Sequence, residues 1–179
     1  MTQQSALLLP FERSQELIGI RIAAAAIRKD NFLSLRYRIE GPINRIVCPI
    51  SDSIGNRANL LWQNTCFEAF WGVLNSKVYW ELNLAPSGDW NLYKFDNYRT
   101  NQIEEEQKHD MQFQSSKTES SLSIGITLEL PKEISIKVPI ELNLTSVLQQ
   151  VNGQISHWAL VHCLSEPDFH QRDSFLLQL

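Results

Sequence analysis

The sequence lacks the cysteines and long apolar runs that disulfide-stabilised and membrane-inserted proteins need. Its three cysteines, Cys48, Cys66 and Cys163, are far apart and odd in number, so they predict neither a disulfide framework nor a Cys-x-x-Cys metal site. The apolar stretch at residues 17–27 carries Arg21 and is too short to span a bilayer. Residues 1–12 have no signal-peptide pattern. We therefore expect a cytoplasmic protein that does not associate with membranes.

A basic surface and the common catalytic motifs are also missing. The chain has 16 Lys and Arg against 20 Asp and Glu, a net charge of −4, which argues against nucleic-acid binding. No GxGxxG, phosphate-binding loop, HExxH or GxSxG pattern occurs. With 179 residues and 43% hydrophobic residues, the chain is sized and composed for one globular domain, which we place at residues 1–179.

Alternation of apolar and polar residues with period two dominates the chain. It is clearest where Leu33, Leu35, Tyr37 and Ile39 face one way and polar or charged residues the other. Such segments predict strands at residues 31–40, 65–73, 77–84, 121–130, 137–144 and 156–164, and weaker candidates lie at 6–12, 17–28, 43–49 and 92–95. Many short strands without long helices predict an all-β fold, an antiparallel β-sandwich of jelly-roll-like type. The polar segment 97–117 is interpreted as a loop or short helix.

Two carboxylates interrupt apolar strands. Glu68 lies within TCFEAFWGV, and Glu81 alternates with apolar residues so that it shares a strand face with Tyr79 and Asn83. An unpaired buried charge is costly, so each carboxylate needs a reason to be there. Three interpretations stay open: a structural one, with ion pairs to arginines of the chain or a hydrogen bond from Tyr79; ligand binding; or the acid and base roles of glycoside hydrolysis. The candidate arginine partners are Arg36, Arg38 and Arg99.

Tryptophans and histidines supply further candidates. Trp80 and Trp158 fall inside strands and are predicted to be core residues, whereas Trp62 and Trp90 flank loops, where an indole can stack on a sugar ring or cap the sandwich. His157 and His162 are five residues apart on one predicted strand, hence on opposite faces, so they predict no metal site. The remaining histidines, His109 and His170, lie in predicted loops.

The stretches LWQNTCFE (61–68), YWELNLAPSGDW (79–90) and YKFDNYR (93–99), with HWALVH (157–162) and PDFH (167–170) in the tail, resemble a bacterial group of DOMON-like domains. The resemblance implies a β-sandwich related to family 9 carbohydrate-binding modules, within a superfamily that binds sugars or haem. Haem-binding relatives use a Met and a His as axial ligands. Only Met1 and Met111 are present, and Met111 lies outside the matching motifs, so haem is disfavoured and no cofactor is expected.

We therefore expect non-catalytic binding of a small polar ligand, foremost a carbohydrate, on a sheet face. The resemblance suggests Trp62 and Glu68 as binding residues. Strand alternation and the flanking loop add Tyr79, Glu81, Asn83, Trp90 and Arg99. The alternatives are a module for protein–protein interaction or self-association, with a homodimer as one form, and a glycoside hydrolase that uses Glu68 and Glu81. Whether Trp90 and Arg99 line a pocket or close the end of the sandwich stays open.

Overall fold

The computed structural model describes residues 1–106, 111–134 and 136–179, in which strands are joined by turns and short 3₁₀ segments. Within these ranges no helix is long and apolar enough to cross a membrane. The strands are β1 (Thr2–Pro10), β2 (Arg21–Lys29), β3 (Phe32–Glu40), β4 (Cys66–Val73), β5 (Tyr79–Leu84), β6 (Trp90–Phe95), β7 (Ile103–Glu104), β8 (Gln112–Lys117), β9 (Ser121–Glu129), β10 (Ile140–Gln149), β11 (Ile155–Ala159) and β12 (Leu177–Gln178).

The strands form one antiparallel sheet that curls over onto itself. Its order is β7-β6-β5-β4-β10-β11-β1-β2-β3-β9-β8, and β12 also pairs with β10. Strand β1 joins the two halves, because its residues 2–8 pair with β2 whereas Leu9 and Pro10 pair with β11. We call β2, β3, β8 and β9 the β3 half, and β4, β5, β6, β7, β10 and β11 the β5 half.

The two halves pack face to face around an apolar core. The apolar side chains of β3 are buried, and they form one cluster with Phe67, Trp71 and other residues of the β5 half. The Tyr37 and Phe67 rings are 5.1 Å apart, and the Tyr37 hydroxyl donates a 2.6 Å hydrogen bond to the Glu68 carbonyl oxygen. Trp80 and Trp158 are 3% and 2% exposed, as predicted. The antiparallel β-sandwich predicted from the sequence is confirmed.

Some predicted elements differ from the structure. Residues 43–49 form no strand: Ile43–Arg45 is a 3₁₀ turn, and only Ile46 makes an isolated bridge, with Gln150. The alanine run 23–26 favours helix by propensity but lies in β2, because pairing with both β1 and β3 overrides that weak preference. The segment 97–117, interpreted as a loop or short helix, contains β7 and β8. His109 lies outside the described residues.

The β5 half is buried on both faces. Its inner face packs in the sandwich core, while Cys66, Phe70, Tyr79 and Phe95 belong to a second apolar cluster on its outer face. That cluster includes Phe169 and Phe175 from the C-terminal segment, with Trp62 packed against it. The C-terminal segment thus covers part of the outer face and leaves an indentation beside it.

Candidate functional site

An open pocket of about 370 Å³ lies on the outer face of the β5 half. Strands β4, β5, β6, β10 and β11 supply its floor, and the loop after β6, the turn before β4 and the C-terminal segment supply its walls. Its lining consists of Trp62, Glu68, Phe70, Glu81, Phe95, Arg99, Gln102, Val147, His157, Pro167, Phe169 and His170. Aromatic rings and carboxyl groups therefore meet in one space.

Strand register brings the two carboxylates together. In the β4–β5 pair Glu68 is opposite Asn83 and Phe70 is opposite Glu81, so the two glutamates are diagonal neighbours on the same face. Glu68 is 3% exposed and Glu81 is 5% exposed. Both line the pocket, so the small surface that they retain opens towards a ligand.

Side chains of the chain hydrogen-bond both carboxyl groups, and the Cys66 thiol is one of the two that bond Glu68. Thr145 Oγ1 donates to Glu68 Oε2 over 3.2 Å, and Asn83 Nδ2 donates to Glu81 Oε1 over 2.7 Å. Burial raises the pKa of Glu68 well above its usual range, and the neighbouring Glu81 charge raises it further. Burial also raises the pKa of Glu81, against the lowering effects of Asn83 and Arg99. Protons are therefore held in this pair at pH values where an exposed glutamate is ionised.

No arginine of the described chain forms an ion pair with either glutamate. Arg36 and Arg38 project from the exposed face of β3, where Arg38 pairs with Glu40 at 2.9 Å. Arg99 pairs with Asp168 instead, at 3.1 Å. The structural interpretation of the buried carboxylates as arginine-paired groups is therefore wrong.

His170 faces Glu81 as a neutral imidazole. The backbone N–H of Arg99 donates to the Tyr79 hydroxyl oxygen (3.1 Å), and the same hydroxyl shares a 2.8 Å hydrogen bond with His170 Nδ1. In the tautomer in which the Tyr79 hydroxyl is the donor, the ring proton is on Nε2, which lies 3.8 Å from Glu81 Oε2. Burial lowers the pKa of His170 to about 4, and the charge of Arg99 acts in the same direction.

Asp168 ties the C-terminal segment to the loop after β6. Its Oδ1 accepts hydrogen bonds from the Arg99 guanidinium (3.1 Å) and the His170 backbone N–H (3.0 Å). Its Oδ2 accepts from the Tyr98 hydroxyl (2.7 Å) and the Gln171 amide (2.9 Å). Burial alone raises the pKa of this carboxyl, but the hydrogen bonds from Gln171, Tyr98 and His170 outweigh it and hold the pKa at about 2. Asp168 therefore stays ionised and fixes the position of Arg99 and His170.

Aromatic rings flank the carboxylates. Trp62 lies in the 3₁₀ turn Leu61–Gln63, half-buried, with its ring 6.2 Å from that of Tyr93 in an edge-on arrangement. Phe70 is 5.1 Å from the His170 ring, and Phe95 is 5.2 Å from it. Among the aromatic residues that line the pocket, Phe70, Phe95 and Phe169 are buried, whereas Trp62 is partly exposed to solvent.

Four of the seven candidate site residues line the pocket: Trp62, Glu68, Glu81 and Arg99. Tyr79 and Asn83 lie on the same face, as alternation predicts, but are fully buried and hydrogen-bond His170 and Glu81. They position residues of the pocket rather than lining it.

Trp90 does not face the pocket, which corrects its proposed place on the binding surface. Residues 90 and 92 point to the inner side of β6, where Trp90 packs against the sandwich core. The Arg57 guanidinium covers the indole, 4.3 Å from the ring centre. Trp90 therefore closes the end of the sandwich, whereas Arg99 faces the pocket. A single docking surface that includes both Trp62 and Trp90 does not form, and the homodimer stays a prediction.

Sequence reasoning missed several lining residues. Phe70 and Phe95 have the same strand parity as Glu68 and Tyr93, so alternation could have placed them beside the carboxylates. His170 lies in an irregular segment, where no periodic signal indicates which side chain points inward. Met111 packs into the sandwich core and does not line the pocket. Among the residues with described structure, no group of three or more His, Cys, Asp or Glu side chains could hold a metal ion.

Comparison with known proteins gives matches at the level of structure alone, since no family model and no curated protein matches the sequence. A candidate carbohydrate-binding protein from Bacteroides uniformis superposes with a TM-score of 0.69, at 13% identity, over 96% of this chain and 84% of that chain. A family 9 carbohydrate-binding module from Caldicellulosiruptor kristjanssonii in complex with glucose gives 0.52, at 10% identity, over 93% and 77%. The same kind of module from that organism in complex with cellotriose gives 0.56, at 9% identity, over 98% and 80%. The chain therefore shares the fold of family 9 carbohydrate-binding modules.

Proposed function

We propose that the protein binds a small carbohydrate, without chemistry, in the pocket on the outer face of the β5 half. The observation that carries the proposal is the meeting of Glu68 and Glu81 with the Trp62 indole in one open pocket. The family 9 modules that share the fold were solved with glucose and with cellotriose, which supports the proposal. A volume of about 370 Å³ is within the range of small-molecule sites.

The pocket offers what a sugar needs. A sugar ring has an apolar C–H face, which can lie on the indole of Trp62, and a rim of hydroxyls that donate and accept hydrogen bonds. Glu68 and Glu81 provide acceptors, and the Arg99 guanidinium and the Nε2–H of His170 provide donors. Hydrogen bonds to charged groups are stronger than neutral ones, so a few such contacts can fix the ligand's orientation.

We also propose that the chain belongs to the bacterial DOMON-like group. The motifs at residues 61–68, 79–90 and 93–99 support membership of the bacterial DOMON-like group, and the pocket draws residues from each of them. A cytoplasmic location is proposed with it, which makes a soluble intracellular saccharide the expected ligand rather than an extracellular polysaccharide.

Replacing Trp62 with Ala is expected to weaken saccharide binding at least about fivefold, because the sugar loses its stacking surface. Isothermal titration calorimetry with glucose and cellotriose measures the change. Phe32→Ala is the matched control: this ring is 46% exposed on the β3 half, away from the pocket, so its loss is expected to leave binding unchanged. Equal affinities for the Trp62→Ala variant and the unchanged protein would contradict the proposed site, and binding of no sugar at all would overturn the proposed function.

Glycoside hydrolysis is a second candidate, favoured by one observation. Two carboxyls with raised pKa values share an open pocket, and a carboxylic acid that stays protonated near neutral pH can serve as a general acid. This candidate predicts release of nitrophenol from aryl glycosides, and loss of that release in Glu81→Gln. Absence of turnover together with retained saccharide binding would leave the non-catalytic function standing alone.

A further inference from the structure

We propose that the preferred ligand carries a protonated amine, so that the pocket selects an amino sugar over the corresponding neutral sugar. The inference rests on the proposed carbohydrate binding and adds the chemical class of the sugar. Three features of the pocket carry it: two buried carboxyl groups that no arginine or lysine of the described chain pairs with, the acceptor capacity left on those groups, and the aromatic walls.

Glu68 and Glu81 are the groups that can supply a negative charge to a cationic ligand once they ionise. Arg99 lies on the wall of the pocket, but Asp168 balances it at 3.1 Å. Burial lowers the pKa of His170 to about 4, so this imidazole is neutral, and burial also lowers the pKa of His157, which favours its neutral form.

The other titratable groups around the pair contribute no positive charge. Burial raises the pKa of the Cys66 thiol on β4, of Tyr79 on β5 and of Tyr93 on β6, so all three stay protonated and neutral. From β10, Thr145 and Val147 face the pair, and neither carries a charge. Arg99 on the pocket wall lowers the pKa values of both glutamates, but its ion pair with Asp168 at 3.1 Å balances part of its charge.

Both carboxyl groups keep acceptor capacity for a ligand. A carboxylate can accept about four hydrogen bonds, and within the described part of the chain Glu68 receives them from Thr145 and the Cys66 thiol only. Among the same residues, Glu81 Oε2 has only His170 Nε2 at 3.8 Å, beyond hydrogen-bond distance. A sugar hydroxyl has one proton to donate. An ammonium group has three donors and a positive charge, so it can make several charge-assisted hydrogen bonds to the carboxyl oxygens around it.

The aromatic lining suits a cation as well. Trp62, Phe70, Phe95 and Phe169 surround the carboxylates, and the faces of such rings attract a positive charge, more strongly where water is excluded. A neutral sugar can use the Trp62 ring for stacking. An amino sugar can use that ring and also gain from the electrostatic attraction of the others.

Proton release makes the inference measurable on the unchanged protein. In the free pocket at about pH 6, burial keeps both glutamates mainly protonated, and the charge of Glu81 further raises the pKa of Glu68. An ammonium between them favours the ionised forms, so binding at about pH 6 is expected to release roughly one proton per amino sugar, whereas glucose is expected to release none. Calorimetry in buffers of different ionisation enthalpy counts these protons.

The affinity test compares D-glucosamine with D-glucose and N-acetyl-D-glucosamine at about pH 6, where the free amine is protonated. We expect glucosamine to bind about tenfold or more tightly than either neutral sugar, because only it carries the cation. In Glu68→Gln and Glu81→Gln this preference is expected to disappear, while Glu119→Gln, an exposed site between β8 and β9, keeps it. Near-ultraviolet circular dichroism checks that each variant folds.

The outcomes separate this inference from the function on which it rests. Tighter binding of glucosamine with proton release supports both. Equal or tighter binding of glucose, or glucosamine binding without proton release, overturns the amino-sugar inference and leaves carbohydrate binding intact. If none of the three sugars binds, the proposed function fails and this inference fails with it.

Discussion

Glu68→Gln is expected to stabilise the protein at alkaline pH, raising the free energy of unfolding by roughly 2–4 kcal/mol at about pH 9. Glu68 is 3% exposed, accepts hydrogen bonds from Thr145 and the Cys66 thiol, and forms no ion pair in the described chain. Above its raised pKa the folded protein must hold a buried negative charge that the unfolded chain exposes to water. A glutamine of nearly the same shape keeps an oxygen for Thr145 and removes that charge.

The sign of the pH dependence follows from the direction of the shift. The folded-state pKa of Glu68 is raised above the ordinary value of 4.5, so protonation favours the folded state. The stabilising contribution of protonated Glu68 is fully present below its ordinary pKa and is lost as pH rises through its raised folded-state pKa. Urea denaturation should therefore show a small difference in the free energy of unfolding between Glu68→Gln and the unchanged protein at about pH 5. The full difference is expected at about pH 9.

Glu119→Gln is the control for this experiment, because it makes the same chemical change at an exposed position. It should leave the free energy of unfolding nearly unchanged at both pH values. Destabilisation of Glu68→Gln at about pH 9, or an equal effect at both pH values, would contradict a buried carboxylate with a raised pKa. Residues that lower the stability of the fold are typical of functional sites, because such residues serve binding rather than folding.

The fold could be predicted from the sequence wherever a strand has one solvated face. Residues 31–40 and 121–130 alternate cleanly, and they become β3 and β9, paired in register over their whole length. Strand β10 was harder to place: the prediction covered 137–144 and the strand is Ile140–Gln149. Its later residues Thr145 and Ser146 are polar but buried, so the apolar pattern fades while the strand continues. Local patterns also could not predict that β1 joins both halves, because this pairing depends on distant segments.

The site was predictable where strand parity decides it. Alternation placed Tyr79, Glu81 and Asn83 on one face of β5, and the structure confirms it. Trp90 was grouped with them because it borders a loop, yet its parity on β6 sends it to the inner face. His170 and Asp168 could not be located, because their segment has no regular repeat and its path over the outer face depends on tertiary contacts.

Asp168→Ala is expected to loosen the wall of the pocket and to lower the free energy of unfolding by about 2–4 kcal/mol. The substitution removes the acceptor for four donors, two from the loop after β6 and two from the C-terminal segment. Arg99 and His170 then lose the contact that holds them beside Glu81, so saccharide affinity should fall together with stability. Urea denaturation and calorimetry measure the two effects on the same preparation.

The neighbouring Asp173→Ala is the matched control, because Asp173 lies in the same segment, is exposed, and makes no hydrogen bond or ion pair through its side chain in the described structure. It should change neither stability nor affinity appreciably. Hydrogen exchange locates the effect: the backbone N–H of His170 bonds Asp168, and that of Arg99 bonds Tyr79, so both should exchange faster in Asp168→Ala. Unchanged exchange at both amides would contradict the role of Asp168 as the tie between the two segments.

Because the pKa of Asp168 is about 2, its carboxylate stabilises the fold above the ordinary pKa of 3.8 and loses that effect only as pH falls through about 2. The difference between Asp168→Ala and the unchanged protein should therefore persist from neutral pH down to about pH 4 and shrink only in stronger acid.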